Sequence, residues 1–506
     1  MFTTSIALLL LVILLISWPY LKTNLSDISP AFLQRQSSVG PTRKSNESAA
    51  YRSVDVPHGL PLTGGLRIRI GYKLRDGCLK DIWDIALKGG NKEASVVFPD
   101  DLELTIGQIN TVINSIADKL AEITEDTDKI GIFSDFLSTE SILLALSCFF
   151  ISERTLVNYN SIPSSPAKDV RLMVVDKRHA DKVKGMGFKR VIVIEGGSTG
   201  EKGSTGDGEL PSIFPSLKEP SPTFSSSYSP NEQYMQFNNQ PYSEINDFRQ
   251  VDFFQRNFVS TVASRLLSLP AGFEWSESDS VLISVSPFDV SSKNALITNL
   301  LCGLVSKVSK ITIVNEEKLN LDSISSSSAT ILSTSDQCLH RLTEDAGGFL
   351  TERSESLNSL GIFNRIGRIS RRLDLKIVYA LQTNKPLTSR EYNRIRSCLG
   401  SRIVRETYNH LAIGPVLKTN IFEYRVLGNE VLRKSRVVQL GVAVNCLELK
   451  IKKEGEKDDK GELYARGYSV GKGKEGVDYD EEFWVNLGVE GRFGRDGCFY
   501  ELRPRN

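Results

Sequence analysis

Between residues 78 and 436 the chain alternates short, continuously apolar runs with amphipathic helical segments, and this alternation restricts the fold more than any other feature. KIGIFSD (129–135), RLMVVD (171–176), RVIVIEGG (190–197), VLISVSP (281–287) and KITIV (310–314) are short and rich in β-branched residues. That pattern marks strands covered on both faces. Between such runs, LKDIWDIALKGG (79–90) places Leu79, Ile82, Trp83, Ile85 and Ala86 on one helical face. LTIGQINTVINSIADKLAEI (104–123) repeats apolar residues at spacings of three and four. A β-α-β alternation of this kind predicts an α/β domain with a mainly parallel sheet. It predicts one α/β subdomain over 78–195 and a second over 246–436, the latter including a basic helix at RIGRISRR (365–372). From Val437 the texture turns β-rich: strand, charged hairpin, strand, then a last hairpin, giving a third subdomain over 437–506. Residues 196–245 are rich in Gly, Ser and Pro with little apolar periodicity, and predict a disordered low-complexity insert.

The N-terminus carries the strongest apolar signal. IALLLLVILLI runs from Ile6 to Ile16 and SWPYL continues to Leu21, close to the ~17 residues that can just span a bilayer. No Lys or Arg precedes the run and no small-x-small site follows, so a transmembrane signal anchor over 1–22 is preferred to a cleaved signal peptide. Arg35, Arg43, Lys44 and Arg52 follow the span, which leaves the body cytosolic. The endoplasmic reticulum is the expected membrane, held through Ile6–Leu21, and the polar stretch 23–77 reads as a flexible tether. A formal net charge of +1 over 506 residues gives no clustered basic face and argues against a nucleic-acid partner. Seven scattered cysteines without CxxC read as reduced, mostly buried thiols, and four distant histidines offer no zinc pair. The basic run 365–372 reads more readily as a solvated face than as a lipid contact.

GELYARGYSVGKG (461–473) and WVNLGVEGRFGRDGCFYEL (484–502) give the chain a further identity. Gly461, Glu462, Leu463, Arg466 and Gly467 match a Gly-Glu-Leu-x-x-Arg-Gly motif, and the second segment parallels Trp-x-x-Thr-Gly-Asp-x-Gly-x-Phe. With the colinear order of elements, residues 78–503 resemble the large N-terminal domain of the adenylate-forming (AMP-binding) family, which includes acyl-CoA synthetases. The resemblance implies two α/β subdomains with mainly parallel sheets plus a β-rich subdomain.

The resemblance also implies where chemistry should sit. A phosphate loop wraps ATP with backbone N–H groups and a Lys. Its expected place is YSEINDFRQV (242–251), which has no Gly or Lys, carries Glu244 and Asp247, and offers only Arg249 as a cation. GSTGEKGSTGDG (197–208), with Lys202, lies too far upstream and is a common low-complexity string. The family's Tyr-Gly-x-Thr-Glu, whose Glu holds magnesium, reads Tyr408-Asn409-His410-Leu411-Ala412 here. The Asp that binds ribose hydroxyls is matched by Val489, with Leu487 at the Thr, and valine accepts no hydrogen bond. Glu490 should face away, because neighbours on a strand alternate. The sequence closes at Arg503-Pro504-Arg505-Asn506, where the family's hinge leads to a small domain with a catalytic Lys, so that domain is expected to be absent.

Arg249, Tyr408, Leu411, Ala412, Val489 and Arg503 are thus the expected degenerate ATP-site positions. No catalytic residue or metal ligand is expected, and no cofactor. The implied protein is a membrane-anchored, catalytically inactive pseudoenzyme with a scaffold or regulatory role in lipid metabolism. Its expected ligands are an acyl chain or acyl-CoA and a protein partner of unspecified kind. The alternatives are a divergent active long-chain fatty acid-CoA ligase, which would need ATP and Mg, and an unrelated membrane-anchored α/β interaction protein.

Overall fold

The computed structural model describes residues 26–504, apart from 195–239 and short interruptions at 71, 90–92, 126–128, 135–136, 153, 164, 247–248, 288, 429, 431–434, 454, 456–459, 476 and 478. The expected anchor (1–22) and residues 196–239 of the expected insert lie outside them. Among the described residues no helix is long and apolar enough to cross a membrane.

The short apolar runs form strands in two sheets. In the first, Arg190–Ile194, Val170–Asp176, Lys129–Phe133, Leu156–Tyr159 and Tyr242–Asn246 pair in parallel, then Arg249–Phe253 and Lys472–Glu475 continue antiparallel. In the second, Arg402–Tyr408, Ile377–Leu381, Ile331–Ser335, Ser280–Val285, Lys310–Asn315 and Ser95–Val97 run parallel. Its edges are antiparallel, Pro415–Lys418 on one side and Glu103–Thr105 on the other. Pro415–Lys418 also pairs with Ser435–Ala443, which carries this sheet into an antiparallel β-rich unit. The central strands are buried along their length, as continuous apolar runs require.

Helices start where short polar side chains cap free N–H groups. Thr105 and Gln108 form a capping box for Ile106–Ile123, and Thr388 with Glu391 does the same for Ser389–Leu399. Helix Thr139–Phe150 is buried all round, wedged between neighbours. The mixed α/β architecture resembles the adenylate-forming large domain.

Four expectations change in detail. Residues 78–195 do not close on themselves: Ser95–Val97 joins the second sheet, and helix Leu79–Gly89 packs on helix Val290–Ser306. The segment read as a tether contributes Ser37–Val39 and Tyr51–Ser53 to the β-rich unit. It is held because Leu33 is buried and Tyr51 stacks on Phe493 with ring centroids 3.6 Å apart. The expected insert ends early, since Tyr242–Asn246 pairs with Leu156–Tyr159 and buries Tyr242, Ser243 and Glu244. RIGRISRR is a loop, not a helix. Arg365 pairs with Asp374, Arg368 donates to the Leu373 carbonyl, and a Cβ on Gly367 would lie 2.9 Å from the Thr351 Cα.

All seven cysteines are buried and unpaired. Burial pushes the Cys78, Cys148 and Cys302 thiols up to about 12, so they are inert hydrophobes rather than nucleophiles.

Gly441 occupies the seam between the second sheet and the β-rich unit. Its φ is +95°, and a Cβ there would lie 2.1 Å from the Lys418 carbonyl oxygen. Gly441→Ala is expected to cost at least about 2 kcal/mol, because it adds left-handed strain to a backbone clash. A fall in the thermal midpoint checks this, and an unchanged midpoint contradicts it.

Candidate functional site

In open α/β sheets, ligands bind beyond the carboxyl ends of the parallel strands. Here that end is built by the turn that follows Arg402–Tyr408. Asn409 Nδ2 donates to the Leu487 carbonyl (2.9 Å), and the Gly471 N–H donates to the Leu411 carbonyl (2.9 Å). Asn294 clamps the turn from helix Val290–Ser306. Its Nδ2 donates to the Ala412 carbonyl (2.7 Å), and its Oδ1 accepts from the Gly414 N–H (2.7 Å). Thr261 Oγ1 donates to the Ile413 carbonyl (2.6 Å) from helix Gln255–Leu267. A Cβ on Gly414 would lie 2.1 Å from Thr261 Cγ2, and its φ is +78°, so the turn needs glycine there.

Most of the sequence-expected positions meet around this turn. Leu411 and Ala412 are buried in the main core and offer only methyl groups where a cation needs oxygens. The Tyr408 hydroxyl donates to Glu406 Oε2 (2.9 Å) and accepts from Arg265 (3.0 Å), so it is committed inward. Val489 packs against the same core, while its neighbour Glu490 is exposed and pairs with Lys460 (2.9 Å). Arg249 lies close enough to act on His410. Burial first, and the Arg249 charge second, hold that imidazole below its ordinary value. Arg503 stands at the end of the adjacent strand, donating to the Thr383 and Asn384 carbonyls (3.1 and 2.8 Å) and pairing with Glu501 (2.7 Å).

The expected phosphate-loop segment is a tight hairpin. Tyr242–Asn246 and Arg249–Phe253 pair out to Asn246 against Arg249, so only residues 247 and 248 connect them. A cradle needs several successive backbone N–H groups turned toward an anion. Two connecting residues leave no length for one. Glu244, on the first strand, accepts from Asn160 Nδ2 (2.7 Å), and burial pushes its carboxyl up to about 7 despite the Asn160 hydrogen bond and the Lys293 charge. Among the described residues no group of three or more His, Cys, Asp or Glu side chains could hold a metal. Among the described residues the positions expected for cradle, metal carboxylate and ribose acceptor hold a strand pair, apolar side chains and a valine, and residues 197–208 lie outside those residues.

The dominant charges nearby were not legible as a site in the sequence. Arg265, on helix Gln255–Leu267, pairs with Glu406 on Arg402–Tyr408; both side chains are almost wholly buried. The same guanidinium donates to Asn299 Oδ1 and lies 4.4 Å over the Tyr379 ring. Burial, the largest single influence, lowers the Arg265 pKa, but the charges of Glu406, Tyr408, Cys302 and Tyr379 together outweigh it and hold the guanidinium well above its ordinary value. The available signal was charge inside mostly apolar segments, Arg265 in VASRLL and Arg405 with Glu406 in RIVRETY.

No family model matches the chain. An uncharacterised protein of Saccharomyces cerevisiae is 26% identical over 554 aligned positions, spanning 97% of each chain. Among solved structures, a long-chain-fatty-acid-CoA ligase (FadD1) from Archaeoglobus fulgidus superposes with a TM-score of 0.59 at 14% identity, over 89% of this chain and 86% of that one. A luciferase-like enzyme from the nonluminescent mealworm Zophobas morio gives 0.59 at 12% identity, over 88% and 98%. The N-terminal domain of FACL13 from Mycobacterium tuberculosis gives 0.59 at 11% identity, over 85% and 100%. At these identities the likeness is one of fold.

Glu406→Gln should destabilise the protein by about 3–5 kcal/mol, because it strands a buried guanidinium. The double variant Arg265→Met/Glu406→Met should cost less than the two single changes summed. Denaturation midpoints of all three variants check this, and simple additivity contradicts it.

Glu244 sets a pH dependence. An unfolded glutamate ionises near pH 4.3, whereas folded Glu244 keeps its proton to about pH 7. The folded state binds the extra proton, so stability falls as pH rises across that window. Glu244→Gln should reduce the loss of stability between pH 5 and pH 8 by about 1–3 kcal/mol. Parallel pH profiles of thermal stability for the two proteins contradict it.

Proposed function

We propose that this chain, which has the fold of the adenylate-forming superfamily, is a non-catalytic scaffold rather than a ligase. It is held at the endoplasmic reticulum membrane through Ile6–Leu21 with its body in the cytosol, and it serves lipid metabolism in a structural or regulatory role. The observation that carries this reading is the hairpin closed between Asn246 and Arg249, where the resemblance calls for a phosphate loop. The apolar turn at Leu411-Ala412 and Val489 in place of an acid support it. An acyl chain or acyl-CoA is the proposed ligand class, on the strength of the fold shared with fatty acid-CoA ligases. A protein partner completes the role.

The test is isothermal titration of the full chain with ATP and magnesium, in nonionic detergent. No saturable heat is expected up to millimolar nucleotide, for the native chain and equally for Val489→Asp. One restored carboxylate does not supply the missing cradle and metal ligand. A saturable, magnesium-dependent isotherm for the native chain overturns the proposal.

A further inference from the structure

A cavity of about 540 Å³ opens on the flank of the second sheet, within the size range of small-molecule sites. It borders the turn just described: Thr261, which holds the Ile413 carbonyl, and Pro415, next to Gly414, are in its lining. Its floor is Val404 and Glu406, its walls come from the C-terminal half of helix Gln255–Leu267 and from Val442 and Val444, and Tyr408 is not part of it. The Arg265–Glu406 pair lies in its lining. Residues 26–36 cross its mouth as a strap. The Asp27 N–H donates to the Gly361 carbonyl (3.0 Å) and its carboxylate pairs with Arg402, while the Gln36 N–H donates to the Asp496 carbonyl (2.8 Å). Ile28, Phe32 and Arg35 of the strap line the opening.

The lining combines apolar walls with three cations, Arg35, Arg265 and Lys418, and two carboxylates, Asp55 and Glu406. Phe32 and Leu267 are largely exposed at the mouth, and Ile421 and Phe422 continue the apolar surface inward. Lys418 enters from the edge strand, opposite Glu406 in register. Its ammonium donates to the Ser268 hydroxyl, and among the described residues no carboxylate stands within ion-pair distance of it. Burial lowers its pKa, and the charges of Asp55 and Glu406 only partly restore it. Glu406 is already taken by Arg265 and Tyr408. Arg35 adds a second, exposed cation at the rim. A desolvated cation beside an apolar cavity is costly unless an anion joins it.

We propose that this cavity binds a single-tailed anionic amphiphile, its phosphate or carboxylate head on Lys418 and its hydrocarbon tail between Leu267, Ile421, Phe422 and Phe32. The position suits a membrane-derived ligand. Ile28 lies seven residues beyond Leu21, the end of the expected span, a reach of at most about 25 Å. The site stands whether or not the chain retains any nucleotide chemistry.

The experiment uses the full chain in phosphatidylcholine nanodiscs, titrated calorimetrically with decyl phosphate, decanoate and decanol, with empty nanodiscs as blank. Saturable one-to-one binding of an anion at least tenfold tighter than decanol is expected. Preference for decyl phosphate identifies a lysolipid-type head, and preference for decanoate a fatty carboxylate. Lys418→Met should weaken anion binding at least tenfold and leave decanol unchanged, and Lys418→Arg should largely restore it. Leu267→Glu, a change at the exposed mouth, should weaken all three ligands through the lost apolar wall and the anions most, through the added charge. No saturable anion binding, equal affinity for decanol, or anion affinity insensitive to both Lys418→Met and Leu267→Glu overturns the proposal.

Discussion

The pairing of Arg265 with Glu406 is the interaction on which the centre of this molecule depends. Two full charges with almost no exposure are tolerable only if each satisfies the other and further hydrogen-bonding positions are filled. Asn299 and Tyr408 fill two of them and the Tyr379 ring lies under the guanidinium, while Arg265 Nε has no hydrogen-bond partner among the described residues. The pair thereby fixes helix Gln255–Leu267 against the sheet at the strand whose end builds the would-be site. The tyrosine hydroxyl is drawn inward to this network, and the turn that follows is held by hydrogen bonds from Asn294, Thr261, Asn409 and Gly471.

That constraint explains how a fold can persist while its surface chemistry changes. The turn 409–414 is held by Asn294, Thr261, Gly471 and Leu487, none of which requires a nucleotide. Leu411 and Ala412 add to the core they face. Glu244 goes further: it is a carboxyl kept in an apolar setting against its own ionisation, beside a hairpin with no room for phosphate. Binding phosphate there would require undoing strand pairing as well as supplying charge.

Much of the architecture was legible because its signals are local. Continuous β-branched runs such as VLISVSP and KITIV became buried parallel strands, and polar caps before amphipathic stretches became helix starts. The Gly461–Gly467 and Trp484–Phe493 segments showed the β-rich unit through turn and packing residues. What was not legible depends on contacts distant in sequence. Tyr51 has a place only because Phe493 offers it a ring to stack on. RIGRISRR has helical composition, but Arg365 and Arg368 find partners in 373–374 that a helix would deny them. Lys418 reads as an ordinary strand-end lysine until the strap, the helix and the edge strand are assembled around it. Of the candidate site, the expected positions 408, 411 and 412 lie together because they follow one another at one strand end and the turn after it, whereas the pairing of Asn246 with Arg249 was not legible.

The chain thus combines the large-domain fold, a turn at 409–414 packed by its own side chains, and a cavity beside its N-terminal strap. The claim that the scaffold no longer carries out adenylation is tested most directly by exchange of labelled pyrophosphate into ATP, with the full chain, magnesium and a panel of fatty acids of different length. Label in ATP should accumulate no faster than with heat-denatured protein. Fatty-acid-dependent label that scales with the concentration of the chain contradicts the claim.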